Sequence, residues 1–410
     1  MKCGLLGRHL SHSYSPQIHC KLGNYDYQLF EVEPENLEQF LKSAEWNGLN
    51  VTIPYKKAVI PYCSTLSPQA KALGAVNTII KNADGELIGH NSDYFGFFSL
   101  LEANSISVFG KKVLILGSGG ASATCKAVLQ KENANVITIS RNGENHYGNL
   151  HLHSDASVIV NATPVGMYPH NGQSPIDLSL FPQLECVIDL IYNPARTKLL
   201  LDAQSRGIQA VNGLWMLVAQ AKESAEWFNT SKIADDIIAE IHSELKSKME
   251  NIVLIGMPGC GKSTIGTLLA KRCGREFVDT DHMIIAKAGR SIPEIFAEYG
   301  EDGFRKIETS VLTEIGMRSN LVIATGGGCV TRQCNYPHLH QNSRIIWLKR
   351  DIAVLPTDGR PLSMTNSLEG MFKARAPLYT AFADIIVEND MTPENTANTI
   401  LEAFYENSRH

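Results

Sequence analysis

With 410 residues, 44% of them apolar and 19% charged, the chain has material for two or three buried cores at about 150 residues per domain. Its formal net charge of −5 argues against partners held by non-specific attraction to nucleic acid or an acidic membrane, and no apolar run approaches the ~18 residues of a spanning helix. Nine cysteines without a CxxC pair, behind an opening MKCGLLGRHLSHSYSP that lacks a secretion signal's apolar stretch, point to reduced thiols in a cytoplasmic protein.

Taken in chain order, the first part alternates β and α signals. GLNVTIPYK reads as extended, and AVNTIIKNADGELIGHN carries Ala-Asp-Gly between two extended runs, a hairpin signal. Polar residues cluster here: Ser13 and Ser15 in SHSYSP, Thr52 and Lys56 in NVTIPYK, Asn77 in GAVNT, Asn91 and Asp93 in HNSD. A lysine beside a carboxylate can pass a proton while hydride moves at a carbonyl. His9, His12, His19 and Cys20 lie nearby, but their spacing fits no common zinc pattern.

KKVLILGSGGASATCKAVLQK then reads as strand, glycine turn and helix, with Gly117, Gly119 and Gly120 at the turn and NVITISRN as the following strand. That is the layout of a dinucleotide fold. Where an NAD-type site wants an acid for the ribose hydroxyls, this chain has Ser140-Arg141-Asn142, and an arginine there suits a 2′-phosphate, favouring NADP. Further on, Ile233, Ile237, Ile238, Ile241 and Leu245 form an apolar helical stripe between acidic positions. It predicts a helix packed on the first unit, with Ser247–Glu250 as a short polar linker.

NIVLIGMPGCGKSTIGTLLAKRCG follows, and GMPGCGKST matches GxxxxGK(S/T) between a strand and a helix. The backbone of Gly259, Cys260 and Gly261 would surround nucleotide phosphates together with Thr264. Lys262 would reach the β/γ oxygens and Ser263 would hold Mg²⁺. Cys260 reads as a small filler of the loop. Eleven of the 15 arginines lie beyond Met249, as suits a phosphate-handling unit. Asp279 and Asp281 in EFVDTD, Arg305 in GFRK, Gly326 to Gly328 in VIATGGG, Arg360 in DGRPL and Arg375 in RAPLY complete the set.

In this order and spacing, those residues over about 250–390 resemble shikimate kinase. The resemblance implies that Asp281, Arg305, Gly327 and Arg375 hold shikimate, with Arg305 and Arg375 on its carboxylate, a task suited to guanidinium forks. It also implies that Asp281 takes or orients the proton of the attacking hydroxyl. Asp279 would support Mg²⁺ and Arg360 would close over the phosphates of ATP. Relatives carry another arginine before RPL, where this chain has Leu355-Pro356-Thr357-Asp358, so its lid is less basic.

From Met1 to about 247 the chain resembles shikimate dehydrogenase, on the polar clusters above plus GSGGAS, NATPVGM, Tyr192 in DLIYNP and Gln220 in GLWMLVAQA. The resemblance implies that Ser13, Ser15, Thr52, Asn77, Asp93, Tyr192 and Gln220 surround the substrate, with Lys56 and Asp93 as the catalytic pair. It places NADP on Gly117, Gly119, Gly120, Ala121, Arg141 and Gly213. The chain departs from the family at GRH for GNP, at NSDY for NTDG, at Ala123 after GGAS, and at Asn145, where a second arginine is common.

The expected architecture is α/β throughout. Residues 1–248 form the dehydrogenase unit, with 1–92 and 214–248 as a substrate domain and 93–213 as a Rossmann-type NADP domain. Residues 249–410 form a P-loop domain of the nucleoside-monophosphate-kinase type. The implied function is bifunctional: NADPH reduces 3-dehydroshikimate to shikimate, and ATP phosphorylates shikimate to its 3-phosphate. Two alternatives stay open: a quinate/shikimate dehydrogenase of broader substrate or NAD use fused to the kinase, and a regulatory or scaffold protein with one degenerate site. The short linker also predicts that each half works when expressed alone.

Overall fold

The computed structural model describes residues 1–10, 13–43, 45–355 and 368–406. They divide into two compact units. The first comprises Met1–Gly166, Ser174–Tyr192 and Asp202–His242, and it holds two sheets.

Strands β1 (Lys2–Gly7), β2 (Asp26–Glu31), β3 (Gly48–Val51), β4 (Thr65–Leu66), β5 (Thr78–Lys81) and β6 (Leu87–His90) form a mixed sheet of order β2-β1-β3-β5-β6-β4. The hairpin expected around Ala-Asp-Gly is the antiparallel β5–β6 pair, registered from Thr78↔His90 to Lys81↔Leu87, and Gly85 takes the positive φ of its turn, +81°. Leu6, Leu49, Val51 and Ile79 point from this sheet into a core with Trp46 and Tyr55.

Strands β7 (Lys112–Leu116), β8 (Asn135–Ile139), β9 (Val158–Asn161), β10 (Cys186–Asp189) and β11 (Gln209–Asn212) form a parallel sheet of order β11-β10-β9-β7-β8. Its central strands are nearly all apolar and buried, VIVN in β9 and CVID in β10, as a sheet covered on both faces requires. The chain leaves β7 toward β8 on one side and returns to β9 on the other, so a crevice opens at the C-terminal end of β7.

Two helices bring the polar residues of this unit together. Asp93 begins the helix Asp93–Ala103, and Gln220 lies on Leu214–Asn229. Gly96 sits at their crossing, where a Cβ would fall 2.8 Å from the Met216 carbonyl oxygen and 2.9 Å from Gln220 Cβ. Glycine there lets the helices close.

The second unit comprises Met167–Gln173, Asn193–Leu201 and Ser243–His410. Strands β12 (Asn251–Ile255), β13 (Glu276–Asp279), β14 (Leu321–Ala324), β15 (Ser343–Lys349) and β16 (Ile385–Glu388) form a parallel sheet of order β13-β14-β12-β15-β16. All of β12 is buried, and the phosphate-loop sequence starts at its C-terminal end.

The expected linker is a different object. The helix Asp236–Met249 runs through it, and Ser247, Met249 and Glu250 are buried. The apolar stripe buries Ile238, Ile241 and Leu245. Ile233 lies ahead of the helix, its N–H donating to Glu226. Arg275 donates to the carbonyls of Ser247 and Glu250, both at 2.6 Å, so the segment is tied into the second unit. That unit also includes Arg196, whose guanidinium donates to the carbonyls of His340 and Ser343 and pairs with Glu250, itself held by Arg344. A cut at 248/249 would strip Arg196 from a nearly inaccessible carboxylate. Arg196→Ala should therefore destabilise the second unit by about 2–4 kcal/mol, read as a lower thermal midpoint for loss of phosphoryl transfer. An unchanged midpoint would show the network to be dispensable.

Among the described residues, no helix is long and apolar enough to cross a membrane.

Candidate active sites

The first unit contains a cavity of about 290 Å³. Ser13, Ser15, Thr52, Lys56, Asn77, Asp93, Tyr192 and Gln220 all line it, together with Ala121 and Gly213. Residues from β3, the residue before β5, four helices and the segment after β10 thus meet in one place. Lys56 Nζ donates to Asp93 Oδ2 at 2.6 Å, with both side chains partly exposed to the cavity. The Asp93 N–H donates to Asn91 Oδ1, and Asn91 Nδ2 to the Ala75 carbonyl, which fixes the start of the helix carrying the carboxylate. Burial, and then neighbouring Tyr14, raise the Tyr192 phenol's pKa, keeping it a hydrogen-bond donor.

A buried polar network underlies the cavity, and sequence patterning missed it. Asn77 Oδ1 accepts from the Ser92 N–H, Ser92 Oγ reaches Gln220 Oε1, and Ser224 Oγ meets Ser92, Thr78 and Asn50. An asparagine inside the buried strand GLNV was the available signal, since a buried amide needs partners. His12 lies outside the described residues. His19 is far from a ligand arrangement: it bonds Tyr25, stacks on Tyr27, and burial pushes its pKa down to about 3.

At the β7 turn, Gly117 has φ +104°, while a Cβ on Gly119 or Gly120 would meet nothing within 4 Å. The backbone at the start of the helix Gly120–Lys131 is therefore open to a ligand, as a pyrophosphate needs. Arg141 is exposed just beyond β8, and Asn145 is occupied by His153 at 2.9 Å. Gly213 has a structural reason of its own: a Cβ would lie 2.1 Å from the Leu190 carbonyl oxygen.

In the second unit a cavity of about 650 Å³ is lined by Gly259, Gly261, Lys262, Ser263, Thr264, Asp279, Asp281, Arg305, Gly327 and Arg375. Gly256, Gly259 and Gly261 have φ of +145°, +81° and +100°, values that favour glycine and curl the loop around its own N–H groups. Cys260 is fully buried beneath it, as a filler would be. Lys262 Nζ donates to the carbonyls of Gly256 and Met257, each at 2.9 Å. Ser263 Oγ donates to Asp279 Oδ2 at 2.7 Å, so two hard oxygen ligands suited to Mg²⁺ stand together. Arg360 lies outside the described residues.

Asp281 follows Asp279 on the helix Thr280–Ala288. Burial raises its pKa, the charge of Asp279 adds to that, and Lys262, His282 and Arg305 oppose it. Arg305 donates to Glu308 at 2.8 Å and to Glu301 at 3.3 Å. Glu308 was not singled out from sequence, although its place three residues after Arg305 put both on one helix face. It is fully buried, and burial raises its pKa despite the guanidinium beside it. Its Oε1 has no hydrogen-bond partner among the described residues. An acceptor in that state suits a substrate hydroxyl. Gly328 packs directly on the Arg305 guanidinium, and Arg375 Nη1 donates to the Gly327 carbonyl at 3.2 Å.

Comparison with known proteins matches both parts of the chain to known families. Residues 5–79 match the family model described as shikimate dehydrogenase substrate binding domain, and residues 258–405 match that described as shikimate kinase. A shikimate dehydrogenase (NADP(+)) of Clostridium perfringens (strain 13 / Type A) is 35% identical over 267 residues, covering 60% of this chain and 98% of the relative. Among solved structures, shikimate dehydrogenase 1 from Peptoclostridium difficile is similar at TM-score 0.56 and 37% identity, over 60% of this chain and 97% of that one. A chorismate mutase/shikimate 5-dehydrogenase fusion protein from Clostridium acetobutylicum is similar at TM-score 0.58 and 36% identity, with the same coverage.

Proposed function

The chain belongs to the shikimate dehydrogenase family and carries a shikimate kinase domain behind that part, and from this we infer that one polypeptide runs two consecutive steps of the shikimate pathway. It is a bifunctional enzyme: NADPH-dependent reduction of 3-dehydroshikimate to shikimate, then ATP-dependent phosphorylation of shikimate to shikimate 3-phosphate. The observation that carries this is a complete reactive set in each of two cavities, Lys56–Asp93 in one and Lys262–Asp281–Arg305–Arg375 in the other. Dehydrogenase chemistry is assigned to 1–248, with the NADP fold in 93–213, and kinase chemistry to 249–410. Nine free cysteines support a reducing, cytoplasmic setting.

In the first cavity, Ser13, Ser15, Asn77, Tyr192 and Gln220 bind and orient the carboxylate and hydroxyls of the substrate, and Thr52 closes the wall. NADPH, when bound on the open glycine turn, supplies the hydride. Lys56, as the ammonium ion, gives its proton to the carbonyl oxygen during reduction and recovers it in the reverse direction. Asp93 holds Lys56 in place and accepts from the adjacent substrate hydroxyl.

In the second cavity, Arg305 and Arg375 grip the carboxylate of shikimate and Asp281 takes the proton of its attacking hydroxyl. Lys262 neutralises charge on the transferring phosphoryl group; Ser263 and Asp279 would hold Mg²⁺, which would add to that neutralisation. Asp281 works only when ionised, and its pKa is raised above 3.8. Phosphorylation should therefore fall as pH drops through that raised value, and kcat/KM against pH reads this. A kcat/KM with no acid limb above the pH at which the protein unfolds would remove Asp281 from the role.

Two half-assays test the assignment: shikimate with NADP⁺, read as NADPH formed, and shikimate with MgATP, read as ADP formed. Turnover in both supports it, and failure of either fully folded half counts against it. Arg141 bears on the cofactor. Arg141→Ala should shrink the kcat/KM preference for NADP⁺ over NAD⁺ by about 1–3 kcal/mol. Equal use of both cofactors by the unaltered protein would contradict the assignment.

A further inference from the structure

Arg375 and Tyr379 stand four residues apart on the helix Leu368–Phe382, on one face of it. Both reach the same atom. The Gly327 carbonyl oxygen accepts from Tyr379 Oη at 2.5 Å and from Arg375 Nη1 at 3.2 Å. A carbonyl oxygen has two lone pairs, so both donors can be held at once. Gly327 is itself wedged against the phosphate loop, where a Cβ would lie 2.7 Å from Pro258 Cδ. The loop Gly326–Gly328 therefore lies between the nucleotide side of the cavity and the helix that carries Arg375.

The two donors differ in what else they can do. Arg375 lines the cavity and, on the function assigned above, must turn to the carboxylate of shikimate. Tyr379 is fully buried, packs against Trp347 with ring centroids 5.5 Å apart, and has a phenol whose pKa burial raises strongly. It remains a donor at every working pH and has nowhere to go. If Arg375 were the only donor, its departure would leave a buried carbonyl unsatisfied, and each substrate binding event would carry that penalty.

We propose that Tyr379 is a positioning residue of the kinase site. It keeps the Gly327 carbonyl satisfied and the glycine loop in shape while Arg375 is released to the substrate carboxylate. Tyr379 does not touch substrate; it acts through Gly327 and Arg375. This rests on the assignment of Arg375 to shikimate.

The test is Tyr379→Phe in the full-length protein, which keeps the ring and its packing and removes only the hydroxyl. The carbonyl then competes with substrate for Arg375. The expected result is a shikimate KM raised about 10-fold, with the ATP KM and kcat at saturating shikimate within about threefold of the unaltered protein. Without turnover, shikimate should lose most of the thermal stabilisation it gives, while ATP keeps its own. A merely structural tyrosine would move both KM values together and lower the unliganded midpoint; that outcome, or an unchanged shikimate KM, overturns the proposal. Arg375→Ala run alongside separates the two levels. If Arg375→Ala raises the shikimate KM and Tyr379→Phe does not, only the positioning role fails. If Arg375→Ala impairs ATP alone, the carboxylate assignment fails and takes this proposal with it.

Discussion

Lys56→Ala should lower kcat for shikimate oxidation by about 10²–10⁴-fold, the range for loss of a positioned acid–base group, while kinase turnover stays within about twofold. Lys56 sits at 2.6 Å from Asp93, in a cavity where eight residues of the expected site converge. Its side chain is 31% exposed, so truncation removes a proton carrier without opening a hole in a core. Substrate contacts from Ser13, Ser15, Asn77, Tyr192 and Gln220 remain, so KM should change far less than kcat. Equal losses in both reactions would point to misfolding, and a KM-only effect would make Lys56 a binding group.

Lys262→Ala should do the converse, cutting phosphorylation by about 10²–10³-fold, as expected when a preorganised charge is taken from a reacting oxygen. Lys262 is 8% exposed and spans the loop to the carbonyls of Gly256 and Met257. Its loss removes both the charge for the phosphoryl group and two bonds that brace the loop. Dehydrogenation should continue at its normal rate, because the described lining of the Lys56 cavity comes from residues 5–220. Retained ATP turnover would show that the loop's backbone carries the reaction alone.

How much of this was readable beforehand depended on the range of the interactions. The phosphate loop and the glycine turn after β7 are local: their glycines, flanking strands and following helices lie within about two dozen residues, so pattern sufficed. The substrate residues were legible only through family resemblance, since nothing local distinguishes Ser15 or Gln220 from surface polar residues. The Asn50–Ser224 bond joins positions 174 residues apart, and no periodicity announces such a pairing. Ser247–Glu250 looked like a linker because its composition is polar. What buries Glu250 includes Arg196, 54 residues earlier, a partner invisible to a local reading. Tyr379 carries no local signal for a similar reason: its task is set by a carbonyl 52 residues away.

The central claim, two consecutive reactions on one chain, is met most directly by a single incubation. The purified protein receives 3-dehydroshikimate, NADPH and MgATP, and mass spectrometry follows the products. The account predicts that 3-dehydroshikimate disappears and shikimate 3-phosphate appears, one equivalent each of NADPH and ATP being consumed per product. With Lys262→Ala the same mixture should stop at shikimate, and with Lys56→Ala phosphorylation should occur only when shikimate is added. Shikimate accumulating without its 3-phosphate in the unaltered protein, or no consumption of 3-dehydroshikimate at all, would contradict it.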